Sequence, residues 1–411
     1  MEHSTYDVAV VGGGLVGLGT LWAVQQQFQD LRCVLLEKEA RLASHQSGRN
    51  SGVIHSGVYY RPGSLKAQLC RAGSQRLRAF CDAHGIRYER CGKLIVAVER
   101  HELVQLDRLY ERGQANGVTG LHRLESHQIQ EVEPRVQGVA ALHLPEVSVV
   151  DFIAVAQTLA AQITEHGGTI LTSTPLLQLH HVPTGWRLGT TRGTYEARFL
   201  INCSGLHADR IARMAHERPA ASIIPFRGEY YTLRPDRREL VHGLVYPVPD
   251  PGLPFLGVHF TKTISGEILV GPNAVLALKR EGYCRSDVSC RDVLGLLGAP
   301  GFWRMAARYW RVGLEELSRS FSKRAFVRAA QRLIPSLREE DLIPGHSGVR
   351  AQAIDVGGNL LDDFLMRESR AALHVYNAPS PAGTASLSIG QAIAERIAEP
   401  LKQLRRVTAT V

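Results

Sequence analysis

Cysteine is scarce: seven residues in 411, an odd number, with no CxxC pair. That argues against a disulfide framework and a structural zinc site, so no metal is expected and a reducing cytoplasm is the implied compartment. Cys33 and Cys203 sit in strand-like runs and read as small core residues. Basic residues are missing ahead of the first apolar stretch, where Glu2 and Asp7 stand instead, which speaks against a secretory signal. That uncharged stretch, Val8 to Val24, is also broken by glycines and falls short of the roughly 20 apolar residues of a membrane span. A soluble or peripheral protein is expected. No internal repeat, low-complexity linker or nucleic-acid module is found, so the chain reads as interleaved domains that bind no nucleic acid.

What is present begins with charge. The formal net charge of +9 implies an anionic partner: a carboxylate substrate, an acidic membrane surface or nucleic acid, the last without a module to bind it. Residues 302–332 concentrate it, with Arg304, Arg308, Arg311, Arg319, Lys323, Arg324, Arg328 and Arg332 against Glu315 and Glu316. Aromatic residues interleave them. The pattern predicts two basic amphipathic helices broken near Gly313, suited either to a solvated face or to peripheral membrane contact.

The strongest local signal is Tyr6-Asp7-Val8-Ala9-Val10-Val11 running into Gly12-Gly13-Gly14-Leu15-Val16-Gly17, which predicts a buried strand, a glycine-rich turn and a helix. Gly12 permits the sharp turn, Gly14 a close approach to a pyrophosphate, and Gly17 tight packing of helix on strand. Leu15 and Val16 open the helix whose amino terminus faces the phosphates. Cys33 to Glu37 predicts the second strand, ending in an acid placed for a ribose hydroxyl.

Further along, helices are predicted over 65–84, 100–116, 151–166, 208–215 and 385–397, and strands over 93–98, 169–173, 198–203 and 373–377. Between Ile223 and Val275 alternating residues with many Pro and Gly, including Gly228 to Leu233 and Phe255 to Phe260, predict an antiparallel sheet. A glycine fingerprint alone does not separate nicotinamide from flavin. Its position at the amino terminus, a second strand turn at Ser204-Gly205 and a third strand, loop and helix through Pro381-Ala382-Gly383-Thr384 together form the layout of two-domain FAD enzymes. The expected fold class is therefore α/β (α+β overall), with a Rossmann-like FAD domain built from 1–85, 145–215 and 345–411. An antiparallel-sheet substrate domain would take 86–144 and 216–344. Amides around Ala382 to Thr384 are placed to hold the pyrimidine edge of a flavin.

The loop His45-Gln46-Ser47-Gly48-Arg49-Asn50-Ser51-Gly52-Val53-Ile54-His55-Ser56-Gly57-Val58-Tyr59-Tyr60 resembles the signature of the L-2-hydroxyglutarate dehydrogenases, within the glycine oxidase and glycerol-3-phosphate dehydrogenase superfamily. Cys91 to Ala97, Pro225 to Gly228, Leu256 to Thr261, Gly271 to Ala274, Gly348 to Gln352 and Asn377 to Ala382 follow in family order, so the likeness covers nearly the whole chain. The resemblance implies oxidation of L-2-hydroxyglutarate to 2-oxoglutarate by hydride transfer to non-covalent FAD. It further implies electrons passing to a quinone of the respiratory chain, at the cytoplasmic face of the inner membrane.

A dianionic alcohol requires cations for two carboxylates and a base for the hydroxyl proton. Arg350 is expected to fork onto the carboxylate beside the alcohol. His55 and His259, each in a family motif, are the candidate bases. Arg227, Tyr59 and Tyr60 are candidates for the distal carboxylate, with an Arg227–Glu229 ion pair as the structural alternative for the arginine. Lys38, Ser44, Ser47, Asn50 and Ser51 are candidate donors to cofactor phosphate or ribose oxygens. Two other functions fit the same fold: a flavin-dependent amine or amino-acid oxidase, and a non-catalytic electron-transfer subunit.

Overall fold

A computed structural model describes residues 4–250, 256–369 and 371–408. The first strand, Ser4–Val11, lies between Gly193–Asn202 and Cys33–Leu36, parallel to both, and Thr169–Leu171 extends the sheet in the same sense. Ala372–Asn377 joins the carboxyl end of Gly193–Asn202, also in parallel. The amino half of Gly193–Asn202 instead turns antiparallel onto Gly185–Thr190, which pairs with Leu176–Val182. Strands such as Cys33–Leu36 are buried along their whole length, as parallel strands covered on both faces must be.

Helices Leu15–Gln27, Phe152–Glu165 and Ala382–Thr408 pack into the core of this sheet, and Leu65–Ala83 adds Leu77, Phe80 and Cys81 to it. The first and last cross where glycine meets glycine, since a Cβ at Gly390 would stand 2.2 Å from the Gly19 carbonyl oxygen. Asp151 caps the middle helix by accepting the Ile153 amide at 2.8 Å.

The second sheet runs Val275–Leu276, Ser222–Leu233, Ile268–Gly271, His259–Lys262, Leu244–Pro247, Lys93–Ala97, Ala140–Leu144 and His122–Glu125, with Leu342–Ile354 also paired to Ser222–Leu233. It is antiparallel over 222–276, as expected; Leu244–Pro247 with Lys93–Ala97 is a parallel pair. Phe255, the first residue of one expected strand, lies outside the described residues.

Two helical expectations need correction. The helix Phe302–Phe321 runs through Gly313, kinks at Tyr309 and ends at Ser322. A Cβ at Gly313 would meet nothing within 4 Å, so no close approach requires a break there, whereas the Ser322 hydroxyl accepts the Ala325 amide at 3.1 Å and starts the helix Lys323–Gln331. The carboxyl-terminal helix begins at Ala382 rather than 385, directly after Pro381.

Candidate active site

The two sheets enclose a cavity of about 1090 Å³ whose wall begins at the glycine turn. Gly12 has φ +112°, and a Cβ there would meet the Cys203 carbonyl oxygen at 2.5 Å, so the turn lies against the end of the neighbouring strand. Gly14 precedes the first helix without a side-chain cap, and a Cβ on it would stand 3.0 Å from Ser47 Oγ. Gly17 packs below the wall, where a Cβ would lie 1.9 Å from the Gly12 carbonyl oxygen.

Glu37 is buried and joins second strand to turn: its carboxylate accepts the Gly13 amide at 2.7 Å and the Glu39 amide at 2.8 Å. Lys38 lines the cavity inside a polar network with His45 at 3.0 Å, Glu281 at 2.9 Å and Glu39. Burial opposes its charge, but the hydrogen bonds to Glu39 and Glu281 win and hold its amine above the usual range. The ligand atoms of Glu39, His45 and Glu281 lie within 4.8 Å of one another, with this ammonium bonded to all three.

Ser44, Ser47, Asn50, Ser51, Ser204 and Gly205 also line the cavity, though several of their polar groups are engaged. Ser44 Oγ donates to the Arg41 carbonyl at 2.6 Å, Ser47 Oγ accepts the Leu15 amide at 2.9 Å, and Ser204 Oγ donates to Asn202 Oδ1 at 2.6 Å. Asn50 donates to the Ser47 carbonyl at 2.7 Å. Pro381, Ala382, Gly383 and Thr384 bring the last helix's amino terminus to the wall. Thr384 Oγ1 accepts the His55 amide at 3.0 Å and donates to the Val53 carbonyl at 3.2 Å, tying this helix to the signature loop.

His55, Tyr59, Tyr60, His259 and Arg350 all reach the same cavity. His259 Nδ1 lies 2.8 Å from the Gly257 carbonyl oxygen. A carbonyl only accepts, so Nδ1 carries the proton and Nε2 keeps its lone pair. Burial, followed by the charges of Lys93 and Arg350, outweighs that hydrogen bond and pushes the His259 pKa down to about 3. Burial also takes His55 down to about 3, helped by Lys93, His259 and Lys66. His55 Nε2 is 3.3 Å from Ser380 Oγ. Arg350 is half-buried on Leu342–Ile354, with Nη1 3.5 Å from the Asn273 carbonyl, and desolvation draws its guanidinium below its ordinary value.

Arg227 is the exception. On Ser222–Leu233 the residues Gly228 and Tyr230 line the cavity, and strand alternation turns Arg227 to the other face. There its guanidinium meets Glu229 at 2.9 Å and the Cys284 carbonyl at 3.1 Å, the ion-pair alternative recognised in the sequence. Sequence reasoning overlooked Lys66, Tyr230 and Tyr246 on the wall, and Lys93 behind it. Only Lys93 carried a signal, through its place in the Cys91 to Ala97 motif.

Residues 7–396 match the family model described as FAD dependent oxidoreductase. Among curated proteins, the chain is 46% identical over 391 residues to L-2-hydroxyglutarate dehydrogenase of Indibacter alkaliphilus, covering 95% of this chain and 98% of that protein. It is 43% identical to the enzyme of that name in Escherichia coli, covering 95% and 93%, and 41% identical to the mitochondrial one of Bos taurus, covering 97% and 90%. Among solved structures, FAD-bound L-alpha-glycerophosphate oxidase from Mycoplasma pneumoniae superposes with TM-score 0.76 at 23% identity, covering 96% of this chain and 95% of that one. Glycine oxidase from Geobacillus kaustophilus superposes with TM-score 0.72 at 19% identity, with the same coverage.

An α/β fold with a glycine turn and a helix amino terminus on the wall of one cavity thus defines an FAD-dependent oxidoreductase. Within that class, the chain belongs to the family of the L-2-hydroxyglutarate dehydrogenases. The cavity suits FAD: its wall carries both the uncapped helix start at Gly14 and the helix start at Ala382, and Gly14 puts no Cβ beside Ser47 on that wall.

Proposed function

We propose that this enzyme oxidises L-2-hydroxyglutarate to 2-oxoglutarate with non-covalently held FAD and delivers the electrons to a membrane quinone. The observation that carries this reading is that His259, with a lone pair on Nε2, and the Arg350 guanidinium both line the wall of one cavity. FAD, when bound, supplies the two-electron oxidant. Gly12, Gly14, Leu15, Val16 and Gly17 would form its pyrophosphate turn, with Glu37 and Lys38 toward the ribose. Ser44, Ser47, Asn50, Ser51, Ser204 and Gly205 would complete that side, and Pro381 to Thr384 the pyrimidine end.

Arg350 holds the carboxylate next to the alcohol and so fixes the carbon that is oxidised. His259 Nε2 takes the hydroxyl proton, and Nδ1 remains bonded to Gly257, which keeps the ring oriented through the proton transfer. A low pKa in the unliganded site makes the ring a neutral acceptor at working pH; the substrate's negative charge raises its proton affinity when it arrives.

Peripheral attachment at the cytoplasmic face of the inner membrane is supported by the outer face of 302–332. Trp303, Trp310, Leu314, Leu317 and Phe321 form an exposed apolar stripe between 43% and 74% accessible. Leu294 and Leu297 of the preceding helix Cys290–Leu297 extend it, and basic residues border it. Several of those residues are already engaged, Arg304 with the Val356 carbonyl and Arg308 with Asn359, so the apolar stripe carries more of the argument than charge does. Among the described residues no helix is long and apolar enough to cross a membrane.

Steady-state kinetics of two variants test the roles. Arg350→Lys keeps the charge and loses the fork, so KM for L-2-hydroxyglutarate rises while kcat changes little. His259→Gln lowers kcat by about 10² to 10⁴. The reverse pattern, or turnover retained in His259→Gln, would overturn the assignment.

A further inference from the structure

Lys93 is buried at 3% exposure on the strand Lys93–Ala97, and among the described residues its ammonium makes no ion pair. Its contacts are aromatic: Nζ lies 3.6 Å from the ring centre of Tyr246 and 4.5 Å from that of Tyr59. Both rings are on the cavity wall. The Tyr59 hydroxyl is buried and has no hydrogen-bond partner among the described residues. Tyr246 packs on His259, ring centres 4.0 Å apart, and His259 feels the charges of both Lys93 and Arg350.

A buried cation without an acid and a buried hydroxyl without a partner are costly groups to leave side by side in an empty protein. One incoming carboxylate satisfies both. We propose that Lys93 and Tyr59 form the subsite for the distal carboxylate of the substrate, the place that Arg227 does not take, and so make the enzyme selective for dicarboxylates. Tyr59 donates its hydroxyl hydrogen to the carboxylate, and Lys93 supplies positive charge from behind the Tyr59 and Tyr246 rings. Arg350 holds the other carboxylate, with His259 between the two cationic poles. Burial without an acid draws the Lys93 ammonium well below its ordinary range, and the arriving anion reverses that. This assignment rests on the L-2-hydroxyglutarate reading.

The test is binding to the oxidised, FAD-loaded protein without turnover, read as perturbation of the flavin absorbance band by glutarate and by butyrate. The wild type prefers glutarate by about 100-fold, and Lys93→Met, which keeps the length of the side chain, reduces that preference to less than about 10-fold. A wild type with no preference overturns the dicarboxylate reading itself. A wild type that prefers glutarate beside a Lys93→Met protein that still does so overturns the Lys93 assignment alone. Tyr59→Phe, which removes one oxygen and keeps the ring, carries the same comparison if Lys93→Met does not load FAD: its preference falls by about 5- to 10-fold, and an unchanged preference refutes the subsite.

Discussion

Replacing Gly17 by alanine probes the cofactor cradle from beneath. The added Cβ would lie 1.9 Å from the Gly12 carbonyl oxygen and 3.4 Å from Cys203 Cβ. Real Cβ contacts stay beyond 3.0 Å, and the offending atom is backbone, so the turn must move away from the helix by roughly 1 Å. Overpacking of this kind costs about 1 to 3 kcal/mol of stability. A 1 Å displacement of the amides that face the pyrophosphate should weaken FAD binding by about 100-fold. Titration of the flavin-stripped protein with FAD, followed by fluorescence quenching, measures the affinity, and thermal unfolding with and without excess FAD measures the stability. Gly313→Ala is the control: its Cβ meets nothing within 4 Å in a helix interior, so it should stabilise by up to about 1 kcal/mol and leave FAD affinity unchanged. A Gly17→Ala protein with wild-type affinity for FAD would refute the reasoning.

Acid should act through the buried His259 and the half-buried His55. Each is held near 3 in the folded, unliganded protein against 6.5 when unfolded, so between those values the unfolded chain binds more protons and stability falls as pH falls. In mid-window the pair contributes about 2.7 kcal/mol per pH unit, and denaturant unfolding of flavin-stripped His55→Gln should show about half that contribution; an identical slope would contradict the burial argument. For the membrane stripe, Trp310→Glu with Leu314→Glu should abolish sedimentation with anionic vesicles, and the wild type should remain partly bound after a high-salt wash. Complete release by salt would mean that charge alone holds it.

The glycine turn, the acid at the end of the second strand and the turn at Ser204 were legible because each follows from a local backbone demand: Gly12 needs positive φ, and Glu37 ends a run of buried residues. The convergence of His55, His259, Tyr59, Tyr60 and Arg350 on one cavity was legible only through the family motifs, since no local pattern brings residues so distant in sequence together. Arg227 shows where motif membership misleads, because strand parity decides which side chain faces the cavity and a motif does not record parity. Lys93 was hidden for another reason: its importance comes from having no acid nearby, and its strand is paired with Leu244–Pro247, which comes from far along the chain. The break at Ser322 was missed because Gly313 looked the stronger interruption, although a glycine in an uncrowded helix interior costs only about 1 kcal/mol.

The most direct test of the account is the visible spectrum of the FAD-loaded protein mixed anaerobically with candidate substrates. L-2-hydroxyglutarate should bleach the flavin band promptly, with glycine and sarcosine leaving it unchanged. Bleaching by glycine or sarcosine alone would make the protein an amine oxidase, and no bleaching by L-2-hydroxyglutarate would contradict the central claim.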